Sequence, residues 1–384
     1  MGDGGLHPGR GAAPALGRGP DQRPGTDRDR ELKESHESRS NPSFRWPRSP
    51  AHRRDRATAG EARRGTDPPA RGRPQPRRRA RARGRFAELD KQQPLPIILG
   101  VEGAGDIAGL GEGVSSLRVG QRVAILPMLT CGTCPECDAG RVSECAALTI
   151  VGEHVDGTYA QYIALPARNA IPVPEQADLT YEQLSVSIVA YMTAWHMLRT
   201  RGGLTKGETV LVVGAGSGMG SAAVRLASAL GARVIATSGT DGKGARLREI
   251  GADEVINYRT TPDFPGAVLE ITGGRGVDLV HDTAGGATFQ KSIDSLRHGG
   301  RLIGMGSHTG RVAEVNLVSI HRKEIDIRGA HTAHIGEIEE FLPLLADGSL
   351  VPVIDSVYPL DRAADAQRRL TSEDRFGKVV LSID

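Results

Sequence analysis

The four cysteines of the chain all lie in one stretch of fifteen residues, CGTCPECDAGRVSEC, from 131 to 145. They are Cys131, Cys134, Cys137 and Cys145, in the spacing C-x2-C-x2-C-x7-C. A compact cluster with no scattered cysteine indicates a metal site in a reducing, cytoplasmic environment rather than a set of disulfides. The spacing leaves open whether the metal takes part in chemistry or holds a loop in shape.

A glycine-rich turn, GAGSGMG, follows the apolar run TVLVV and precedes a helical stretch. Apart from one alanine, the turn consists of Gly214, Gly216, Ser217, Gly218, Met219 and Gly220. Its glycines would let the backbone approach a pyrophosphate, and a helix beginning near Ser217 would point its N-terminal amides at the phosphates. Met219 stands where a strict G-x-G-x-x-G pattern has its third glycine. The flanking strand and helix favour dinucleotide binding over the alternative, a tight turn without a ligand.

The end of the next strand bears on which nicotinamide cofactor such a site would bind. Sites for NAD usually place Asp or Glu there to hydrogen-bond the ribose 2′-hydroxyl. This chain has Ser238, Gly239 and Thr240, followed by Lys243. A carboxylate would repel a 2′-phosphate, whereas a hydroxyl, backbone amides and a lysine would attract it. The sequence therefore predicts NADP(H), with a solvated Lys243 that binds nothing as the alternative.

Alternating strands and helices are needed to position such a turn, and residues 209–330 have that pattern. Apolar strand candidates are separated by helical stretches of about ten to fifteen residues, which is typical of parallel βαβ units. The candidates are TVLVV (209–213), RVIAT (233–237), EVINY (254–258), VDLVHDT (277–283), RLIGMG (301–306) and IDIRGA (325–330). Together they predict a doubly wound parallel sheet.

The segments on either side of this sheet have other patterns. Short β-rich runs with glycines between them fill residues 96–127 and predict a small β-barrel, and residues 157–174, GTYAQYIALPARNAIPVP, are again strand-like. A helical pattern begins at Asp178, and the amphipathic GEIEEFLPLLADG predicts a helix within 336–348. Near the C-terminus, GKVVLSI predicts a last strand.

Residues 1–85 have a different composition, with no Val or Ile, three Leu and eleven Pro. They hold 21 Arg and one Lys against 10 acidic residues, a balance of +12, whereas residues 86–384 have a balance of −9. So few apolar residues predict disorder. A basic arm for nucleic acid, a flexible tail, and GC-rich DNA translated from a wrong start or frame are the three interpretations. The near-exclusive use of Arg over Lys favours the last, so nucleic acid is not expected as a partner.

Taken together, these segments resemble the medium-chain dehydrogenase/reductase superfamily, which includes the zinc alcohol dehydrogenases and their quinone-reductase relatives. The resemblance implies an α/β fold, with a Rossmann-type doubly wound parallel sheet and a GroES-like β-barrel catalytic domain. The implied divisions are a disordered segment at 1–90, the catalytic domain with its zinc lobe at 91–177, the NADP(H)-binding domain at 178–330, and a segment returning to the catalytic domain at 331–384. The family begins with barrel strands that residues 1–85 lack, so the N-terminal part of the barrel is expected to be missing or replaced.

The resemblance assigns the cysteine cluster to a lobe that binds a structural zinc, in which four thiolates leave no open position for water or substrate. It also implies that a separate catalytic zinc is absent. The family's Gly-His-Glu motif reads Gly100-Val101-Glu102, valine cannot ligate a metal, and every cysteine is already committed to the lobe. Glu153 and His154, in GEHVDG, remain candidate ligands for a second metal, against the commoner case of a histidine with a structural role.

The closer similarity is to the zinc-free quinone-reductase branch, whose phosphate loop matches GAGSGMG with Ser217 in place of a glycine. Further residues implied by this match are Gly239 and Lys243 near the NADPH phosphate, Tyr258 at the adenosine end, Thr193 near the carboxamide, and the segments 282–286 and 304–307 near the nicotinamide. For Thr193, a buried helix residue without a functional role is the alternative.

The predicted function is hydride transfer between NADP(H) and a quinone, enone or other carbonyl substrate, with the nicotinamide carrying the chemistry. No catalytic side chain is identified from the sequence. A zinc-dependent alcohol dehydrogenase is the first alternative, and an inactive nucleotide-binding protein without a complete substrate cleft is the second. The expected partner is a small molecule and the expected assembly a homodimer or homotetramer. No apolar run is long enough to span a membrane, so no membrane partner is expected.

Overall fold

Short antiparallel strands make up the first part of the fold in the computed structural model, which describes residues 96–383. They are β1 (Ala104–Asp106), β2 (Arg122–Ile125), β3 (Met128–Leu129), β4 (Thr149–Ile150) and β5 (Ala170–Pro172). Strand β2 pairs with β1 on one side and β5 on the other, and β3 pairs with β4. The disorder predicted for 1–90, and the barrel strands expected to be missing or replaced there, lie outside the described residues.

The strand predicted across 157–174 is wrong for most of its length, because only β5 is a strand. Residues Ala167–Asn169 form a 3-10 turn directly after Pro166. Proline has no N–H to donate, so it ends a strand ladder. The amides of Gly157, Thr158 and Tyr159 instead donate to the carbonyls of residues 98–100, outside any regular strand.

Helices fill the segment between the small sheets and the large one. A one-turn helix, α1 (Pro135–Asp138), lies in the cysteine segment, and the helical pattern from Asp178 is confirmed by α2 (Tyr181–Ser185) and α3 (Ser187–Trp195). A capping box begins α2, because Thr180 and Gln183 each accept a hydrogen bond from the other's backbone amide. Helix α3 continues directly into a π-helical turn, His196–Arg201. Turns of π-helix are uncommon in proteins, and those that do occur are often found at functional sites.

A six-stranded parallel sheet forms the larger part of the fold. Its strands are β6 (Thr209–Val213), β7 (Arg233–Ser238), β8 (Glu254–Asn257), β9 (Val277–Asp282), β10 (Leu296–Gly304) and β11 (Asp326–Gly329). They lie in the order β11-β10-β9-β6-β7-β8, so the strand order reverses between β6 and β9. This doubly wound order confirms the predicted sheet. Strand β10 begins at Leu296, before the predicted start at 301, and its pairing with β9 shifts register between these positions.

Helices cover both faces of this sheet. They are α4 (Gly218–Ala229), α5 (Asp241–Glu249), α6 (Phe264–Ile271), α7 (Phe289–Asp294) and α8 (Leu317–Lys323). Successive residues of a strand point to opposite faces. Accordingly, Val210 and Val212 of β6 belong to one buried apolar cluster with α3 and α4, while Leu211 and Val213 belong to another with α6 and α7. Strand β6 is therefore buried on both sides, which explains its uninterrupted apolar sequence.

The C-terminal elements are α9 (Gly336–Ala346), β12 (Ile354–Pro359), α10 (Ala363–Arg369) and β13 (Lys378–Ser382). The predicted amphipathic helix and last strand are confirmed by α9 and β13, and β12 pairs with β13 in parallel. Helix α9 packs on α3, with the rings of Trp195 and Phe341 6.1 Å apart. The same buried cluster includes Leu126 and Met128, so one core joins the small sheets to the large one. None of the helices within residues 96–383 is long and apolar enough to cross a membrane.

Candidate functional site

The glycine-rich turn lies between β6 and α4, beside the point where the strand order of the large sheet reverses. Gly214 has a φ of +78°, a conformation that suits glycine. Ser217 caps α4, because its Oγ accepts a hydrogen bond from the amide of Gly220 at 3.0 Å. A side chain on Gly220 would collide with the carbonyl oxygen of Gly214, so glycine is required for the helix to approach the strand. The first turn of α4 contains no acidic residue that would repel an anion. The positive end of the helix dipole is therefore suited to binding one.

The segment before β13 crosses this turn. The amide of Gly377 donates to the carbonyl of Gly216 at 3.1 Å. A methyl group placed on Gly218 would lie 2.6 Å from Cδ of Lys378, so the lysine stem rests on the turn. The Lys378 ammonium forms an ion pair with Glu102, from the small-sheet part of the chain. Sequence reasoning missed Lys378, because no local pattern connects the C-terminal strand to the turn.

The turn after β7 adjoins the glycine-rich turn. Ser238 is 2% exposed, and its hydroxyl donates to the carbonyl of Thr240 at 2.8 Å. The proton of this hydroxyl is therefore committed to the turn, and the expectation that it attracts a phosphate is not supported. A methyl group on Gly239 would lie 2.6 Å from Oη of Tyr258, which brings these two predicted residues together. Cδ of Lys243 would lie 3.4 Å from a methyl group on Gly216, so Lys243 adjoins both turns.

Three cations from separate segments surround this region, and Lys243, Arg259 and Arg375 are called the basic cluster here. Burial lowers the pKa of Lys243, and the charges of Arg375 and Arg259 lower it further, although the carboxylates of Asp374 and Asp355 act in the opposite direction. Arg259 also pairs with Glu373 at 3.0 Å, with both side chains well exposed. Nε of Arg375 is buried and has no hydrogen-bond partner within residues 96–383. A cluster with mutually repelling charges and an unsatisfied donor favours a bound anion.

The segments predicted to approach a nicotinamide lie at the carboxyl ends of β9 and β10. Asp282 is buried, and one of its carboxylate oxygens accepts the amides of Ala284 and Gly285 at 2.8 and 2.9 Å. The hydroxyl of Ser292 donates to the other oxygen at 2.8 Å. Asp282 therefore shapes the turn rather than facing a substrate. Thr193 is 1% exposed in α3, a helix that packs on α4 and α9, and no contact there distinguishes a cofactor role from a structural one.

The four cysteines are brought together in a lobe around α1. Their sulfur atoms all lie within 4.8 Å of one another, and none forms a disulfide. Two of the separations are 3.9 Å, between Cys131 and Cys137, and 3.7 Å, between Cys145 and Cys131. Four thiolates at about 2.3 Å from a tetrahedral zinc would be about 3.8 Å apart. The donor set and its spacing therefore fit zinc, with no sulfur pair needing to close by more than about 1 Å.

The thiols of this lobe have divergent acidities. Hydrogen bonds from the backbone of Thr133 and from the Cys134 thiol lower the pKa of Cys131 to about 6. The backbone of Cys137 favours the thiolate of Cys134, but burial and the neighbouring thiols outweigh it and raise the pKa of Cys134 to about 12. Four thiolates cannot crowd together without a cation, and a bound divalent ion would deprotonate all of them.

The other candidate ligands from the sequence are engaged elsewhere. Glu102 is held by Lys378, and its neighbour Val101 has no donor atom. His154 closes a turn, because its Nδ1 accepts the amide of Ile150 at 3.0 Å. Glu153, beside it, is exposed. Within residues 96–383, neither pair belongs to a group of three or more potential metal ligands.

Comparison with known proteins adds two family matches. Residues 79–175 match the family described as the alcohol dehydrogenase GroES-like domain, and residues 218–347 match the family described as zinc-binding dehydrogenase. The first match covers the small sheets and the cysteine lobe, and the second begins at the start of α4 and ends just after α9.

Individual relatives have both reductase and dehydrogenase names. The chain is 32% identical to a 2-haloacrylate reductase from a Burkholderia species, over 74% of this chain and 81% of that protein. It is 33% identical to sorbitol dehydrogenase of Bacillus subtilis, over 71% of this chain and 77% of that protein. A crystal structure of an NAD-dependent alcohol dehydrogenase superposes with a TM-score of 0.73 at 38% identity, covering 76% of this chain and 84% of that one.

Proposed function

The chain belongs to the medium-chain dehydrogenase/reductase superfamily of oxidoreductases, and we propose that it transfers hydride from NADPH to a quinone, an enone or another conjugated carbonyl acceptor. Bound NADPH would supply the hydride, and the protein's contribution is to bind and orient the reactants and to keep water away. The observation that carries the reductase assignment is Val101, which stands where a ligand to a catalytic zinc would be needed.

The nucleotide turn supports binding of the cofactor's pyrophosphate. The N-terminal amides of α4 and the Lys378 side chain converge on one side of the turn, and both favour negative charge. Glu102 holds Lys378 there by an ion pair. We expect the Lys378 ammonium to turn from Glu102 toward the phosphates when the cofactor binds, which would neutralise a charge that α4 alone balances only partly.

The basic cluster supports NADP(H) over NAD(H). No carboxylate ends β7, and Lys243, which the sequence predicts near a 2′-phosphate, has Arg259 and Arg375 as charged neighbours. The structurally similar enzyme named as NAD-dependent shows that the fold accommodates the other cofactor, so the preference depends on these three side chains. Tyr258, half-exposed against Gly239, offers a ring face beside the same turn for the adenine.

The absence of a catalytic-metal ligand at Val101 supports a reductase mechanism without metal-assisted activation of an alcohol. Alcohol oxidation in the zinc branch needs a metal to acidify the hydroxyl, whereas reduction of a conjugated double bond needs only hydride and a proton. One relative is named as a 2-haloacrylate reductase, and a 2-haloacrylate contains a double bond conjugated to a carboxylate. We therefore place conjugated acceptors before alcohols as substrates.

The cysteine lobe supports a structural zinc, whose binding energy would contribute to folding.

We also propose that the chain divides functionally at 91–177, 178–330 and 331–384, and that it acts as a homodimer in a reducing compartment. Strand β11 is at the edge of the large sheet, with all its residues exposed and Ile327 41% exposed. An exposed apolar edge strand is suited to pairing with a second copy, which sedimentation analysis would detect.

A matched assay tests the proposed function. Purified protein is incubated with NADPH and a panel of enones and quinones, and separately with NADP⁺ and a panel of primary and secondary alcohols. Oxidation of NADPH by an acceptor of the first panel, without alcohol oxidation, is expected. Alcohol oxidation that is abolished by a chelator would instead identify a zinc-dependent alcohol dehydrogenase. Binding of NADPH without turnover on any acceptor would identify an inactive nucleotide-binding protein.

A further inference from the structure

A second group of metal-binding side chains lies apart from the cysteine lobe and the nucleotide turn. His196, His334 and Glu337 each offer one ligand atom, and these atoms lie within 4.8 Å of one another. We propose that this group is a metal site that binds a divalent transition-metal ion such as Zn²⁺ independently of the four cysteines. The proposal does not depend on the proposed function, because none of the three residues lies in the nucleotide turn or the basic cluster.

Tertiary packing, not sequence spacing, assembles this group. His196 is the first residue of the π-helical turn after α3, His334 lies between β11 and α9, and Glu337 is in the first turn of α9. The packing of α9 on α3 fixes their approach. His196 and Glu337 are 3% and 4% exposed, whereas His334 is half-buried, so an ion would enter on the side of His334.

The donor atoms are held by surrounding hydrogen bonds. Nδ1 of His196 lies 2.8 Å from Oε1 of Glu337, and the Thr200 hydroxyl donates to the same oxygen at 2.5 Å. The backbone amide of His334 donates to Oε2 at 3.2 Å. On its other side, Nδ1 of His334 lies 3.2 Å from the hydroxyl of Ser143. Two imidazoles and a carboxylate are a set that zinc uses, and such outer hydrogen bonds orient the ligands.

The pKa values of two of the three donors are shifted in the direction that suits metal binding. Burial raises the pKa of Glu337, but hydrogen bonds from His196 and Thr200 outweigh it and hold that pKa below its ordinary value. Burial lowers the pKa of His334.

The geometry distinguishes this group from a simple histidine–carboxylate ion pair. The rings of His196 and His334 are 4.9 Å apart and nearly perpendicular, and each offers a nitrogen within 4.8 Å of a Glu337 oxygen, where an ion pair needs only one histidine. Tetrahedral ligation at about 2.1 Å would place the donor atoms about 3.4 Å apart. A pair at the 4.8 Å limit would close by about 1.4 Å, and the nitrogen and oxygen of His196 and Glu337, now 2.8 Å apart, would open by about 0.6 Å if both ligate; small side-chain rotations provide such shifts. Water would complete the coordination.

A bound ion would join three separate parts of the fold. It would connect the π-helical turn to α9, and through Ser143 it would reach the cysteine lobe, because Ser143 lies in the 3-10 turn between Cys137 and Cys145. An ion that binds only the folded chain raises its stability. We therefore expect the melting temperature of the full chain to rise when the second site is filled.

Cobalt titration of the metal-depleted full chain tests the proposal. Co²⁺ in the cysteine lobe gives strong thiolate charge-transfer absorption, whereas Co²⁺ bound by imidazole and carboxylate gives only weak ligand-field bands. We expect one equivalent with each signature. His334→Ala should lose the second and keep the first. His331→Ala, which removes an exposed histidine three residues away, should keep both and serves as the matched control.

A second variant guards against misfolding of the first. Ser143→Ala removes the hydrogen bond to His334 without removing a ligand, and should weaken the second equivalent by about tenfold. Circular dichroism verifies that each variant is folded. Wild-type protein that takes up only the thiolate-bound equivalent would overturn the proposal, and so would a folded His334→Ala variant that binds both. Neither outcome bears on NADPH turnover, which is measured separately.

Discussion

Replacing Lys243 by glutamine should selectively weaken binding of NADPH. The lysine lies between the turn after β7 and the glycine-rich turn, beside Arg259 and Arg375. Burial and the charges of Arg375 and Arg259 lower its pKa more than the nearby carboxylates of Asp374 and Asp355 raise it. A 2′-phosphate would supply a further counter-ion, and NADH has none at this position.

The size of the effect follows from the position of the ammonium group. A unit charge about 4 Å from an anion contributes about 1 kcal/mol at the dielectric of water and about 4 kcal/mol at a protein surface. Lys243 is only partly buried and its neighbours would share the phosphate, so the lower part of this range applies. We expect Lys243→Gln to weaken NADPH binding about tenfold, or about 1.4 kcal/mol. Lys243→Glu should weaken it about a hundredfold, because a repulsion replaces the attraction.

Titration by nicotinamide fluorescence measures both dissociation constants for each variant. Arg248→Gln, which removes an exposed cation from the same helix, is the matched control and should leave both constants unchanged. The NADPH preference should shrink as salt rises, because exposed parts of the cluster are screened. Equal losses of NADPH and NADH affinity in Lys243→Gln would refute the argument. That result would place the lysine on the shared pyrophosphate, which its contact with Gly216 makes a real alternative.

Three further predictions concern stability and the turn. Cys134→Ser should abolish zinc binding by the lobe and lower the unfolding free energy by at least about 2 kcal/mol, with less effect on turnover per folded molecule; unchanged melting behaviour would contradict this. Burial lowers the pKa of His281 to about 4 from 6.5, so the unfolded state takes up the proton first and stability falls as pH drops from 6.5 toward 4. His281→Leu should remove that loss, worth about 2 kcal/mol at pH 5, as measured by urea unfolding at pH 7 and 5. Gly220→Ala should weaken NADPH and NADH equally, by about 1–3 kcal/mol, because the new methyl group pushes α4 away from β6; unaltered affinities in fluorescence titration would show that the turn tolerates it.

The parts of the fold that could be predicted are those with a local physical cause. Strand β6 is buried on both faces, so its sequence is an uninterrupted apolar run. Ser217 indicates the start of helix α4, and the glycines after it indicate that the helix lies close to the preceding strand. The cysteines likewise need only their short spacing to form one group. In each case the residues that interact are near one another in sequence.

The residues that could not be predicted act over long sequence separations. Lys378 reaches Glu102 and the nucleotide turn, and His196 meets Glu337 only because α9 packs on α3. The strand predicted at 157–174 is wrong over most of its length for two reasons. Pro166 interrupts it locally, and the amides of residues 157–159 bond to carbonyls of residues 98–100, far away in sequence. Ser238 is a residue type suited to a phosphate site, but its hydroxyl donates to the carbonyl of Thr240 within its own turn. The sequence pattern alone does not show which of these alternative contacts and hydrogen bonds forms.

Transfer of deuterium from labelled NADPH tests the central claim most directly. NADPH carrying deuterium at the reactive carbon of the nicotinamide is mixed with the protein and an enone that the protein reduces, and the product is analysed by mass spectrometry. We expect one deuterium per product molecule, bound to a carbon of the former double bond. Protein that holds zinc only in its cysteine lobe should turn over as fast as protein that holds further zinc. Product without deuterium, or turnover only of alcohols and only with a further zinc ion, would contradict the account.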